Sequence, residues 1–129
     1  MSPQTARALS PDQLFGVLGV RLDGLAAQRE RMAFTVRFTD LGQDWVLNLE
    51  HGALTWVAGR GDPSAVATLT LAKEALAAAV SGERALEEAI EAGAVQVEGD
   101  LAALRRLLGW IEAPAPIFAV VEPKPGWDL

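Results

Sequence analysis

The sequence predicts an α+β fold, a five-stranded, mostly antiparallel sheet with helices packed on one face. Three observations carry this reading. Apolar residues recur at helical spacing in some segments and alternate with period two in others. The first three period-two segments are joined by links too short for anything but antiparallel pairing. Helices and strands are partly segregated along the chain rather than strictly alternating.

Ser10-Pro11-Asp12-Gln13 reads as a helix start, with Ser10 as cap, Pro11 at the first helical position and Gln13 completing a capping box. Leu14, Phe15, Leu18 and Leu22 then recur at helical spacing, so a helix is expected over 11–22. Gly16 and Gly19 interrupt it and let another element come close. Phe34, Val36 and Phe38 alternate with polar residues as a half-buried strand. A turn over 40–43 leads to a second strand through Trp45, Leu47 and Leu49. His51-Gly52 makes a tight hairpin to a third strand with Leu54 and Trp56. A loop over 59–64 precedes a fourth strand with Ala67, Leu69 and Leu71. Helices follow over 73–80 and 83–91, stopped by Ser81-Gly82 and Ala92-Gly93. Val95 and Val97 predict a fifth strand. Asp100 caps a last helix in which Leu101, Leu104, Leu108 and Ile111 face inward. Residues 113–129 are proline-rich and apolar in part, a tail expected to pack back on the body. Residues 1–9 are expected to be flexible, and the whole chain is read as one domain.

Composition removes most ready-made chemistry. With 17 acidic against 11 basic side chains, the net charge of −6 argues against nucleic acid, which draws on clustered Lys and Arg. No apolar run nears the ~20 residues of a membrane span, so no stable membrane insertion is expected. Residues 1–8 have no signal-peptide pattern, which makes cytoplasmic the default expectation. The absence of cysteine excludes disulfides, thiol catalysis and cysteine-ligated zinc. One histidine, His51, excludes a multi-histidine metal centre and argues against a histidine-dependent hydrolase. No cofactor motif is present: Gly59-x-Gly61 is not followed by Gly-Lys-Ser/Thr.

Several local motifs, taken in order, resemble the C-terminal domain of bacterial alkyl sulfatases, which has the sterol-carrier-protein fold. They are Leu14-Phe15, Val20-Arg21-Leu22-Asp23-Gly24, Phe38-Thr39-Asp40-Leu41-Gly42, and Leu47-x-Leu49-x-x-Gly52-x-Leu54 across the hairpin. Ser81-Gly82, Glu98-Gly99-Asp100 with Leu104, and Phe118-Ala119-Val120-Val121-Glu122-Pro123 complete the set, and the resemblance covers roughly residues 9–123. The resemblance implies an accessory domain that helps gather the aliphatic chain of a substrate. Catalysis would then lie in a separate metallo-β-lactamase-like domain, whose zinc-binding histidine cluster is absent here. The chain also departs from that family at His51, where Asn is usual.

Each candidate residue has a plainer alternative. His51 reads as a solvated turn residue, since it lacks a partner ligand. Asp40, Asp44 and Asp62 read as turn carboxylates, because their spacing fits no calcium loop. Arg60-Gly61-Asp62 spells an integrin-recognition tripeptide, but Gly-Asp-Pro is ordinary turn chemistry. Glu87, Glu88 and Glu91 read as a solvated helix face. The tryptophans Trp45, Trp56 and Trp110 belong either to the core or to the walls of an apolar groove. The expected groove lies between sheet and helices, lined by Phe15, Leu18, Trp45, Trp56, Trp110 and Phe118, and takes a hydrophobic small molecule such as an alkyl chain or lipid-like ligand. No catalytic or metal-ligating residue is assigned. Parent-enzyme domains or a second copy are the expected protein partners. The alternative is a structural interaction module whose core is filled by its own side chains.

Overall fold

The computed structural model of the protein describes residues 1–112. The expected tail over 113–129, with Phe118 and Trp127, lies outside the described residues. Helix α1 (Pro3–Ala8) and helix α2 (Pro11–Arg21) open the chain. Ser10 and Gln13 form the reciprocal capping box, with the Ser10 Oγ accepting from the Gln13 N–H at 3.2 Å and the Gln13 Oε1 accepting from the Ser10 N–H at 2.9 Å.

Strands β1 (Met32–Phe38), β2 (Gln43–Glu50), β3 (Ala53–Ala58), β4 (Ala67–Leu71) and β5 (Gln96–Gly99) form one sheet in the order β3-β2-β1-β4-β5. Among the described residues, the β1–β4 pair is the one parallel pairing. The segment after β3 crosses the outer face of the sheet to bring β4 beside β1. It lies close: a Cβ on Gly61 would sit 2.7 Å from the Thr35 methyl carbon, so any side chain there forces Thr35 to shift. The Thr35 hydroxyl, buried under this crossing, accepts from the Asp62 N–H at 3.0 Å.

Helices α3 (Lys73–Ser81), α4 (Leu86–Glu91) and α5 (Leu101–Trp110) join α1 and α2 over the inner face. Inward residues of alternate positions, Phe34, Val36 and Phe38 with Leu47, Leu49, Leu69 and Leu71, meet Leu14, Phe15, Leu76, Val80, Leu104 and Leu107 in one core. Arg37, Thr55 and Val57 stand exposed on the outer face.

Two boundaries differ from expectation, and helix α1 over Pro3–Ala8 is an addition to the expected elements. Ser2 caps it, accepting from the Thr5 N–H at 3.1 Å, and Lys73 fastens its end, the Nζ donating to the carbonyls of Arg7 at 2.7 Å and Leu9 at 2.6 Å. Helix α4 starts at Leu86, not residue 83, because the Glu88 side chain reaches back to the Ala85 N–H at 3.2 Å and sets the first turn there. Val95 is buried yet outside the ladder, since its N–H donates to the Ala89 carbonyl at the end of α4.

Candidate functional site: the seam between α2 and the β2–β3 hairpin

Asp12, Gly16 and Gly19 fall at helical spacing on one side of α2, the side that faces β3. The Trp56 indole lies across this strip. Its Nε1–H donates to the Asp12 carboxylate at 2.7 Å, and its ring edge reaches to 3.5 Å from where a Cβ on Gly19 would stand and 3.9 Å from one on Gly16. The two glycines thus form a shelf for an aromatic ring. Behind it, Phe15 is fully buried, with its ring centroid 5.5 Å from that of Trp45, 6.2 Å from that of Trp56 and 6.0 Å from that of Phe38. Tilted contacts at these separations suit the ring quadrupoles. The ladder makes the cluster possible: Leu47 pairs with Trp56 and Trp45 with Ala58, so both indoles project from the inner face as diagonal neighbours.

The hairpin is held against α2 at its tip as well. His51 and Gly52 both have positive φ, 54° and 73°, as a two-residue mirror-image turn requires. Gly52 stacks on Gly24, just past the end of α2. A Cβ on Gly52 would stand 2.6 Å from the Gly24 oxygen, and one on Gly24 would stand 2.7 Å from the Gly52 oxygen. This backbone contact leaves no room for a side chain at either position, and it sets how the hairpin meets the helix.

Of the residues expected to line a groove, Phe15, Trp45 and Trp56 come together. Leu18 is half-buried and packs on the core from the same helix. Trp110 stands apart, at the end of α5, beside a recess of about 460 Å³ with Leu22 and Ile111. The element that Gly16 and Gly19 let come close is β3, whose Trp56 ring takes up the space beside them. A feature missed in the sequence lies on the outward side of α2: an open groove of about 430 Å³ lined by Leu9, Gln13, Gly16, Val17 and Val20 among others. The spacing 13, 16, 17 and 20 was its signal, a second helical stripe beside the core-facing one.

The carboxylates lie apart, each engaged locally. Asp40 accepts from the Lys73 N–H at 3.1 Å and so caps α3, whose own Ala72 has no capping side chain. Asp44 pairs with Arg37 at 3.6 Å. Asp62 accepts from the Ser64 hydroxyl at 2.7 Å and the Ser64 N–H at 2.8 Å, which, with the nearby Arg60 charge, hold its carboxyl below the ordinary aspartate range. His51 projects into solvent with its side chain 89% exposed. Among the described residues, no three His, Asp or Glu side chains are grouped to hold a metal ion. None of the described helices is long and apolar enough to cross a membrane. The chemistry on offer at the seam is apolar burial beside a single carboxylate.

The model of the alkyl sulfatase C-terminal family matches residues 1–123. The chain belongs to that family. An (R)-specific secondary-alkylsulfatase of a Pseudomonas species is 36% identical over 120 residues, 93% of this chain and 18% of the relative. The domain therefore spans about a fifth of the length of this curated relative. The solved structure of the stereoselective inverting sec-alkylsulfatase Pisa1 from Pseudomonas superposes with a TM-score of 0.77 at 35% identity, covering 86% of this chain and 18% of that one. Sterol carrier protein-2 from Aedes aegypti, solved in complex with the C16 fatty acid palmitate, superposes with a TM-score of 0.63 at 24% identity over 84% of this chain and 99% of that one. This family domain thus has the sterol-carrier fold, the α+β class expected from the sequence.

Proposed function

We propose that this domain binds or guides the aliphatic chain of an alkyl sulfate or lipid-like ligand, as the accessory part of an alkyl sulfatase whose catalytic residues lie in a separate metallo-β-lactamase-like domain. The observation that carries the reading is the glycine shelf of α2 with its half-buried indole. A ring resting on two glycines, with Phe15 and Trp45 behind it, is an apolar surface that an alkyl chain can share or take over. Membership of the alkyl sulfatase family and the palmitate bound by a protein of the same fold support it. Leu18, Trp110 and Phe118 are proposed to extend the path of the chain. Each buried methylene contributes about 0.8 kcal/mol, so affinity should rise roughly fourfold per carbon. Calorimetry with alkyl sulfates and fatty acids of increasing length, kept below their micelle concentrations, tests this. Length-dependent binding with a negative heat-capacity change is expected. Binding that is absent, or indifferent to length while the protein is folded, would sink the proposal.

One observation favours a second reading, a structural interaction module. Trp56 already occupies the shelf, so the seam is filled by the protein's own side chain. On that reading the calorimetry shows no heat with any chain, and Trp56→Ala lowers stability alone.

A further inference from the structure

The charged group at the glycine shelf is the Asp12 carboxylate, and it already holds a donor. Asp12 accepts from the Trp56 Nε1–H at 2.7 Å, and the ring that carries this N–H lies over Gly16 and Gly19. An indole only donates and a carboxylate only accepts, so the pair is matched in one direction. A ligand that takes the place of the ring on the shelf must release this hydrogen bond. It restores what it breaks only if it brings a donor of its own. Nothing at this end of α2 suits an anion. Among the described residues, no Lys or Arg side chain pairs with Asp12. Arg21, at the far end of α2, donates to the Val80 carbonyl at 2.8 Å, and Lys73 is engaged by the carbonyls of Arg7 and Leu9. In the first turn of α2, Pro11 has no N–H and the Gln13 N–H is taken by the Ser10 hydroxyl. A sulfate placed here would meet a like charge and offer Asp12 no proton.

We infer that Asp12 makes the shelf select an aliphatic alcohol over the alkyl sulfate of the same chain, the alcohol hydroxyl donating to Asp12 in place of the Trp56 indole. This rests on the proposed function, that an alkyl chain seats at the seam, and adds which head the chain carries. Hydrolysis of an alkyl sulfate leaves sulfate and an alcohol with the same chain. A domain that holds the alcohol more tightly than the sulfate ester would draw product away from a catalytic domain beside it, and Asp12 would be the residue that tells product from substrate. Asp12 is exposed, so water screens part of its charge, and the discrimination it supplies is about fivefold.

The test compares ratios in the full chain. Dissociation constants for octanol and octyl sulfate, and for decanol and decyl sulfate, are measured by NMR titration below their micelle and solubility limits, in the parent and in Asp12→Asn. Asparagine keeps an oxygen for the Trp56 N–H and removes the charge, and circular dichroism checks that the variant is folded. Dividing the sulfate-to-alcohol ratio of the parent by that of the variant cancels the intrinsic difference between the two heads. The expected quotient is about fivefold. In the parent, the Trp56 indole proton should also move upfield on alcohol binding, as its hydrogen bond to Asp12 is released. A quotient near one, with length-dependent binding retained, overturns the alcohol preference and leaves the chain-binding reading standing. An indole proton that keeps its hydrogen-bonded shift in the alcohol complex overturns it too. No binding of any chain to the folded protein ends both.

Discussion

Substituting Gly52 by alanine should unfold far more of the protein's stability than substituting Gly19. Two separate costs meet at Gly52. Its φ of 73° is in the left-handed region, where an L side chain costs about 1–2 kcal/mol. Its new Cβ would also stand 2.6 Å from the Gly24 carbonyl oxygen, with backbone on both sides and no flexible side chain to give way. Overpacking of this kind costs about 1–3 kcal/mol. The sum is roughly 2–5 kcal/mol, a large part of the ~5–15 kcal/mol that holds a domain together. At Gly19 the new Cβ would stand 3.5 Å from the Trp56 ring, an ordinary contact, and the helix gains up to about 1 kcal/mol from alanine propensity. Urea unfolding followed by circular dichroism reads both. A Gly52→Ala midpoint within error of the parent would refute the claim that a backbone contact fixes the hairpin to α2. A Gly19→Ala loss above about 1 kcal/mol would refute the spacing assigned to the shelf.

Lys73→Met removes the ammonium that binds the carbonyls of Arg7 and Leu9, so α1 should loosen at a cost of about 1–2 kcal/mol. Hydrogen exchange should show the Ala6 and Leu9 amides losing protection while the β1–β2 ladder keeps its own, and a uniform response would contradict the assignment. Asp62, with its carboxyl pKa lowered chiefly by the Ser64 hydroxyl, contributes stability that is full above the unfolded aspartate value of about 3.9 and is lost as pH falls through the lower folded value. The Ser64 amide shift should therefore hold until the pH is below that range, and titration at a higher pH would count against the hydrogen bonds. The isolated chain should release no sulfate from alkyl sulfates and retain no stoichiometric zinc after supplementation. Turnover that persists through purification to homogeneity would end the accessory-domain reading.

Much of the fold was legible because its signals were local. The Ser10–Gln13 capping box, the alternation through Phe34, Val36 and Phe38, and the His51-Gly52 turn each need only neighbouring residues to be read. What escaped were contacts between distant segments. Nothing near residues 1–9 announces that Lys73 will bind the end of α1, and nothing near Ala72 announces that Asp40 will cap α3. The parallel β1–β4 pairing likewise depends on a crossing that passes close over Thr35 at Gly61. At the site, the sequence suggested that Gly16 and Gly19 let another element come close, and in the structure that element is β3, through the Trp56 ring. It could not show that Trp56 would rest on the glycines, because that depends on the register of β3 against β2 and on the tip contact between Gly24 and Gly52.

The most direct test of the account places an alkyl chain on the molecule by NMR. Isotope-labelled protein is titrated with decyl and dodecyl sulfate below their micelle concentrations, and shift changes are mapped together with contacts between chain methylenes and protein protons. The largest changes are expected at the Gly16 and Gly19 amides and the Trp56 indole N–H, with methylene contacts to Phe15 and Trp45 and tighter binding of the longer chain. Changes confined to the outer face of the sheet, or none in a folded protein, would contradict the claim that the seam between α2 and the hairpin receives an aliphatic chain.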